Sequence, residues 1–281
     1  MGIYKSFTLF FLLLVALSIY LFVSAPPPLA NEKPMGLSIP VEEVLILLDQ
    51  ENQLVRNLYT KEIVGDGKKQ KLLFDENWDE RHVFAGLLPA QFLRETARSI
   101  ERSKVKLGLY LGSDYAINQA NQLEGMQLRT FKQIKRDRKA KFLYIEEARR
   151  YVYMAPDIAT VKPCVTCHND HKESPKDDWK IDDVMGVTTW TYPKKEVPIE
   201  EVLLLVEALH EGIKSAYQNL ITEMEAMEKP PLIGKRWPKE GYFIPDADEF
   251  MREVNQRTAK ITFSQLIQMV ANISAKEVSS L

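Results

Sequence analysis

Lys141-Phe-Leu-Tyr-Ile145 and Arg150-Tyr-Val-Tyr-Met154 flank the polar run Glu146 to Arg149. Two short apolar and aromatic runs around a charged turn make the pattern of a β-hairpin. Within it Phe142, Tyr144, Tyr151 and Tyr153 alternate with other residues, and a period of two gathers such a set on one sheet face. Working outward, Val105-Lys-Leu-Gly-Leu-Tyr-Leu111 reads as a further strand and residues 116–137 as a helix. Downstream, Val184-Met-Gly-Val-Thr-Thr-Trp-Thr-Tyr192 is a β-branched and aromatic strand closed by Pro193. An antiparallel sheet with helices before and after it makes the fold class α+β.

The flanking helices follow from apolar residues recurring three and four apart. Pro40 to about Val64 carries Val41, Val44, Leu45, Leu48, Val55, Leu58 and Tyr59 in this pattern, and Gly65-Asp66-Gly67 is expected to end it. A second helix runs from Pro89 to Ser103. A third starts at Pro198 with Glu200 and Glu201 in its first turn and passes through Val202, Leu209, Ile213, Tyr217 and Met224. Residues 229–246, with four prolines and two glycines, read as a long irregular loop before a last helix from Asp248 to Ala275.

Ahead of all this, Phe7 to Val23 is almost wholly apolar and no charge follows until Glu32. As a helix this run spans roughly 25 Å, at the short limit for crossing a bilayer and long for a cleaved signal core. Two readings stand for residues 1–25: an uncleaved anchor, or a signal peptide cleaved after Val23-Ser24-Ala25, against which Pro26 counts. Both export the chain, so it is expected at the periplasmic or extracytoplasmic face, in the first reading anchored in the inner membrane. Residues 26–40 form a stiff Pro-rich linker.

A net charge of -2 and a pI near 6.2 exclude a polyanion footprint, so nucleic acid is not an expected partner. The one basic run, Lys132 to Lys141, reads as a solvated helix end or as a dock for an acidic redox partner. Glu146-Glu147 and Asp177-Asp178 are solvated acids rather than a catalytic pair. The sequence has no phosphate loop, nucleophile elbow or metalloprotease helix, so no enzyme is expected.

Chemistry concentrates at Cys164-Val-Thr-Cys-His168. Thiols three positions apart on one helical turn can bond the two vinyl groups of one porphyrin, and the adjacent imidazole of His168 then faces the iron. One covalent haem c is expected. A Cys164–Cys167 disulfide and a zinc site built from these residues with His171 remain the alternatives. For the opposite side of the iron the candidates are His82, then His171, His210, Met126, Met154, Met185 and Tyr59, or a site left to water or a small gas. Tyr144 and Tyr153 could wall such a haem or simply fill the sheet core.

The stretch from Cys164 through Trp179 to Val187 resembles the haem segment of the Tll0287-like, DUF3365 family. Arg56-Asn-Leu-Tyr-Thr-Lys-Glu-Ile-Val64 is similar to its first helix, and Leu88-Pro-Ala-Gln-Phe-Leu93 to its Leu-Pro-Ala-x-Phe turn. The resemblance implies a haem-binding PAS-like domain at residues 41–195, with 196–281 as a helical C-terminal extension. It also implies an extracytoplasmic sensory role, here a redox- or ligand-responsive haem module relaying to a partner protein. The sequence departs from the family in two ways. No cytoplasmic output domain is read in it, and both cysteines lie in the attachment motif, so ligation by a distant cysteine is excluded. The alternative is an electron-transfer cytochrome c, such as a subunit of a membrane complex.

Overall fold

Pro40 and Pro198 stand immediately before two helices, and Pro89 opens a third, because the first turn of a helix has no intrahelical use for the N–H that proline lacks. The computed structural model describes residues 14, 15, 17, 18, 20 and 37–279. The chain divides into two compact units, Met1–Leu37 and Ser38–Leu281. In the first, the described positions Leu14, Val15, Leu17, Ser18 and Tyr20 are helical; the rest of the expected anchor and most of the Pro-rich linker lie outside the described residues. Among the described residues no helix is long and apolar enough to cross a membrane.

The second unit begins with β1 (Ser38–Pro40) and α1 (Val41–Leu58). Helix α1 does not stop at Gly65. It passes through a π-helical segment, Tyr59–Gly65, into α2 (Asp66–Lys69), with Gly65 in ordinary right-handed helical geometry. Then come β2 (Phe74–Asp75), β3 (Gly86–Leu87), α3 (Pro89–Arg102), β4 (Gly108–Gly112) and α4 (Gly125–Asp137). The helix expected over 116–137 is thus confined to its second half. Gly125 at φ +53° sits at its start, where a side chain would be strained.

The hairpin is β5 (Lys141–Ile145) and β6 (Arg150–Ile158), with Tyr144 opposite Tyr151 and Phe142 opposite Tyr153. After α5 (Lys162–Asp170), strand β7 (Val184–Tyr192) fills the centre of a four-stranded antiparallel sheet ordered β4-β7-β6-β5. Strand β8 (Glu196–Pro198) pairs with β1 and leads into α6 (Ile199–Glu225). The long loop carries the parallel pair β9 (Leu232–Ile233) and β10 (Tyr242–Ile244), and α7 (Ala247–Ser279) closes the chain.

The sheet is covered on both faces. On one, Phe131 and Ile134 of α4 pack with Val152, Met154 and Val187. On the other lies α1, and α6 and α7 pack against it in turn, so ten of its 18 residues are buried, Asp49, Glu51 and Asn52 among them. A continuous core runs from Ile39 to Met269, so the C-terminal helices share the core of the sheet. Helices α3 and α6 meet at Gly212, where a Cβ would stand 2.9 Å from the Thr96 carbonyl.

Candidate functional site

Ala159 follows the end of β6 and is buried; its N–H donates to the Asp183 carbonyl and its carbonyl accepts from Asp182, at 2.9 and 3.0 Å. These two bonds close the base of an excursion between β6 and β7 that carries α5. Val161 caps the helix, Pro163 occupies its first turn, and the Cys164 N–H returns to the Val161 carbonyl at 3.0 Å. Residues at i, i+3 and i+4 share one side of a helix, so Cys164, Cys167 and His168 are presented together. Both thiols are free, with Cys167 exposed and Cys164 half-buried against Ala159, Trp179 and Met185.

The end of α5 is clasped twice by the loop that follows. The Trp179 N–H donates to Asn169 Oδ1 at 2.8 Å, and Asn169 Nδ2 donates to the Trp179 carbonyl at 3.1 Å. His171 is fixed beyond it: its Nδ1 accepts from the Glu173 N–H at 3.1 Å, which leaves Nε2 to donate to Glu76 at 2.8 Å. Glu76 belongs to the turn after β2, so that turn, which also carries the exposed His82, reaches the segment that follows α5.

Beside the motif, Arg56 of α1 reaches Asp157 at the end of β6 (3.0 Å) and the Thr188 hydroxyl of β7 (3.2 Å). Burial lowers the His168 imidazole below its ordinary range, with the Asp157 charge opposing. Burial thus favours the neutral form of the ring, the form in which an imidazole can bind a metal. Burial also raises both thiols, at Cys164 and at Cys167. Further along α1, Asp49 accepts from Trp190 Nε1 at 3.0 Å, and burial pushes its carboxyl up to about 6.

The other residues singled out from the sequence are spread more widely. Tyr153 lies on the α1 face of the sheet, pushed up to about 12 by burial and by Asp49 and Glu42. Tyr144, cross-strand from Tyr151, stands at the opposite end of β6 from α5, roughly 23 Å along the strand. Tyr59 is buried, stacks on Phe92 and donates its hydroxyl to the Leu87 carbonyl at 2.7 Å. His210 Nε2 meets the fully buried Glu51 at 2.8 Å, on the side of α1 packed against α6 and α7. Met154 is buried under α4, Met126 is exposed, and Met185 alone of the methionines considered packs beside Cys164.

Among the described residues no group of three or more His, Cys, Asp or Glu side chains converges as a metal-ion site, so the zinc alternative gains no support. A haem suits the donor set better. Two free thiols and an imidazole share a helix face, and the buried donors Arg56 Nε and Trp179 Nε1 have no acceptor, which a carboxylate-bearing group would supply. Reading the sequence missed the Arg56–Asp157 pair and the Asn169 clasp; the one signal was a lone arginine inside an apolar helical pattern.

The family model described as Tll0287-like matches residues 41–193, more than half of the chain, from the first residue of α1 to the one after β7. No curated protein and no solved structure matches.

Proposed function

Because this chain belongs to the Tll0287-like family, which is associated with haem binding, we propose that it is a monohaem c-type module on the extracytoplasmic face of the membrane, responsive to redox state or to a small ligand. The observation that carries this reading is the α5 face on which Cys164, Cys167 and His168 stand together with both thiols free. Cys164 and Cys167 would form the two thioethers and His168 the proximal bond to iron. A bound haem supplies one-electron exchange and, where its sixth position is open, a site for a diatomic gas.

The sheet with α1 on one face and α4 on the other supports a PAS-like core in which the motif sits on the β6–β7 excursion. His171 and His210 are each held by a glutamate, so His82, exposed on the turn that meets the segment following α5, is the favoured distal ligand. Anchoring rests on the apolar run Phe7 to Val23, and relay to a signalling or redox partner on the family resemblance. No catalytic step is assigned to the chain.

One observation favours the electron-carrier alternative: no residue of α5 is fully buried, which would leave a haem edge near the surface for contact with a partner. Spectra of the reduced protein with and without CO decide between the two. A displaceable sixth position supports the ligand-responsive reading. A six-coordinate haem unmoved by CO but reduced rapidly by a partner cytochrome supports the carrier, and no haem spectrum at all defeats both.

A further inference from the structure

Helices α6 and α7 leave a shallow apolar groove on the surface, lined by Ile199, Leu203, Phe263, Leu266 and Ile267. Ile199 and Leu266 pack against the core at its floor, while Leu203, Phe263 and Ile267 protrude, at 54%, 68% and 53% exposed. Soluble surfaces carry such residues singly; a contiguous group marks a surface that is covered in use.

The position of the groove in the fold indicates what covers it. Strand β1, where the folded body begins, pairs Ser38 with Pro198, the residue directly before Ile199. The strand by which the chain enters the body is therefore next to the groove. Only residues 24–36 separate the apolar run ending at Val23 from Leu37, a reach of at most roughly 45 Å. We infer that this groove rests on the lipid bilayer, with Leu203, Phe263 and Ile267 inserted among the head groups and upper acyl chains. The inference rests on the anchored reading given above.

An interfacial contact needs apolar side chains that stand proud of the surface and a rim that stays in water. In the chain next to Ile199, Lys194, Lys195, Glu196 and Glu200 are all exposed and their charges balance, so attachment is expected to be apolar and indifferent to head-group charge. It would fix the orientation of the body on the membrane, which a stiff linker alone does not.

The test uses the full chain carrying haem, reconstituted into vesicles of phosphatidylcholine and, separately, of phosphatidylethanolamine with phosphatidylglycerol. Single cysteines are placed by Leu203→Cys, Phe263→Cys and Ile267→Cys, with Leu73→Cys and Tyr144→Cys as exposed controls away from the groove, and each is spin-labelled. The unsubstituted protein should take up no label, because its own thiols are in thioethers; labelling there would count against haem attachment and leave the groove measurement separate. Collision with oxygen relative to a water-soluble nickel chelate is expected to be several-fold higher at the three groove positions than at the controls, in both lipids. Equal ratios would overturn the inference. So would spin-spin broadening that disappears on dilution with unlabelled protein, because a second copy would then be the cover. Carbonate washing of native membranes reads the anchor on its own: release removes the anchor and this inference with it, whereas retention with control-like ratios removes this inference alone.

Discussion

His82, His168, His171 and His210 are the only four imidazoles of the chain, and their surroundings differ enough to assign them different work. His168 is half-buried beside the two thiols, with burial favouring its neutral form, and His171 and His210 are held by Glu76 and Glu51. His82→Ala is therefore expected to bind CO more tightly and faster than the unsubstituted haem protein, in which His82 must first be displaced, while His210→Ala leaves CO binding unchanged; unaltered CO binding in His82→Ala would remove His82 as the ligand. Asp49 provides a prediction about pH. Its carboxyl ionises near 3.8 when unfolded and about 6 when folded, so folding favours the protonated form. The stability this protects is complete below pH 4 and is lost as pH rises through 6, on the order of 2–3 kcal/mol. Asp49→Asn keeps an oxygen for Trp190 and should flatten that decline, raising the melting temperature at pH 7.5 but not at pH 4.5. A parallel decline in the variant would show that Asp49 is not its source. Residue by residue, the gathering of Cys164, Cys167 and His168 on one helix was legible because it follows from local spacing. The Arg56–Asp157 contact was not, since it joins residues 101 positions apart that only the fold brings together.

At the level of elements, the strands could be read because a period of two and β-branched composition are local properties: β5 and β7 appear at their expected limits, whereas β6 runs four residues past the expected Met154, to Ile158. The continuation of α1 could not. Gly-Asp-Gly is a strong stop signal, yet packing of Tyr59 and Ile63 into the core carries the backbone through a π-helical segment instead. The alternating aromatics show the same limit in another form: the pattern put Tyr144 and Tyr153 on one face, but register alone tells that Tyr144 lies at the far end from α5. The clasp at the end of α5 makes a prediction. Asn169→Ala removes both hydrogen bonds to Trp179 and leaves its N–H unmatched, a loss of about 1–3 kcal/mol. Thermal unfolding followed by far-UV circular dichroism measures it. Gly212→Val should cost at least as much, because the added carbon meets the backbone carbonyl of Thr96, which cannot turn aside as a side chain does.

Across the whole molecule, α1 is the shared layer: one side meets the sheet through Asp49 and Arg56, the other meets α6 and α7 through Glu51, which takes hydrogen bonds from His210 and Thr262. The C-terminal helices accordingly belong to the core that supports the sheet from which α5 projects. Phe250, buried on α7 and stacked on Tyr217 at 3.8 Å, tests this. Phe250→Ala should lower stability by about 3–5 kcal/mol, and Soret and far-UV signals should melt together. Loss of the helical signal well before the Soret change would mean that the two regions unfold independently. The account as a whole depends on covalent attachment at α5. It is tested most directly by the intact mass of the mature protein, made with a working cytochrome c maturation system and measured under denaturing conditions. The account predicts the polypeptide plus one haem, with Cys164 and Cys167 both refractory to alkylation. A mass of polypeptide alone, with both thiols alkylated, would contradict it.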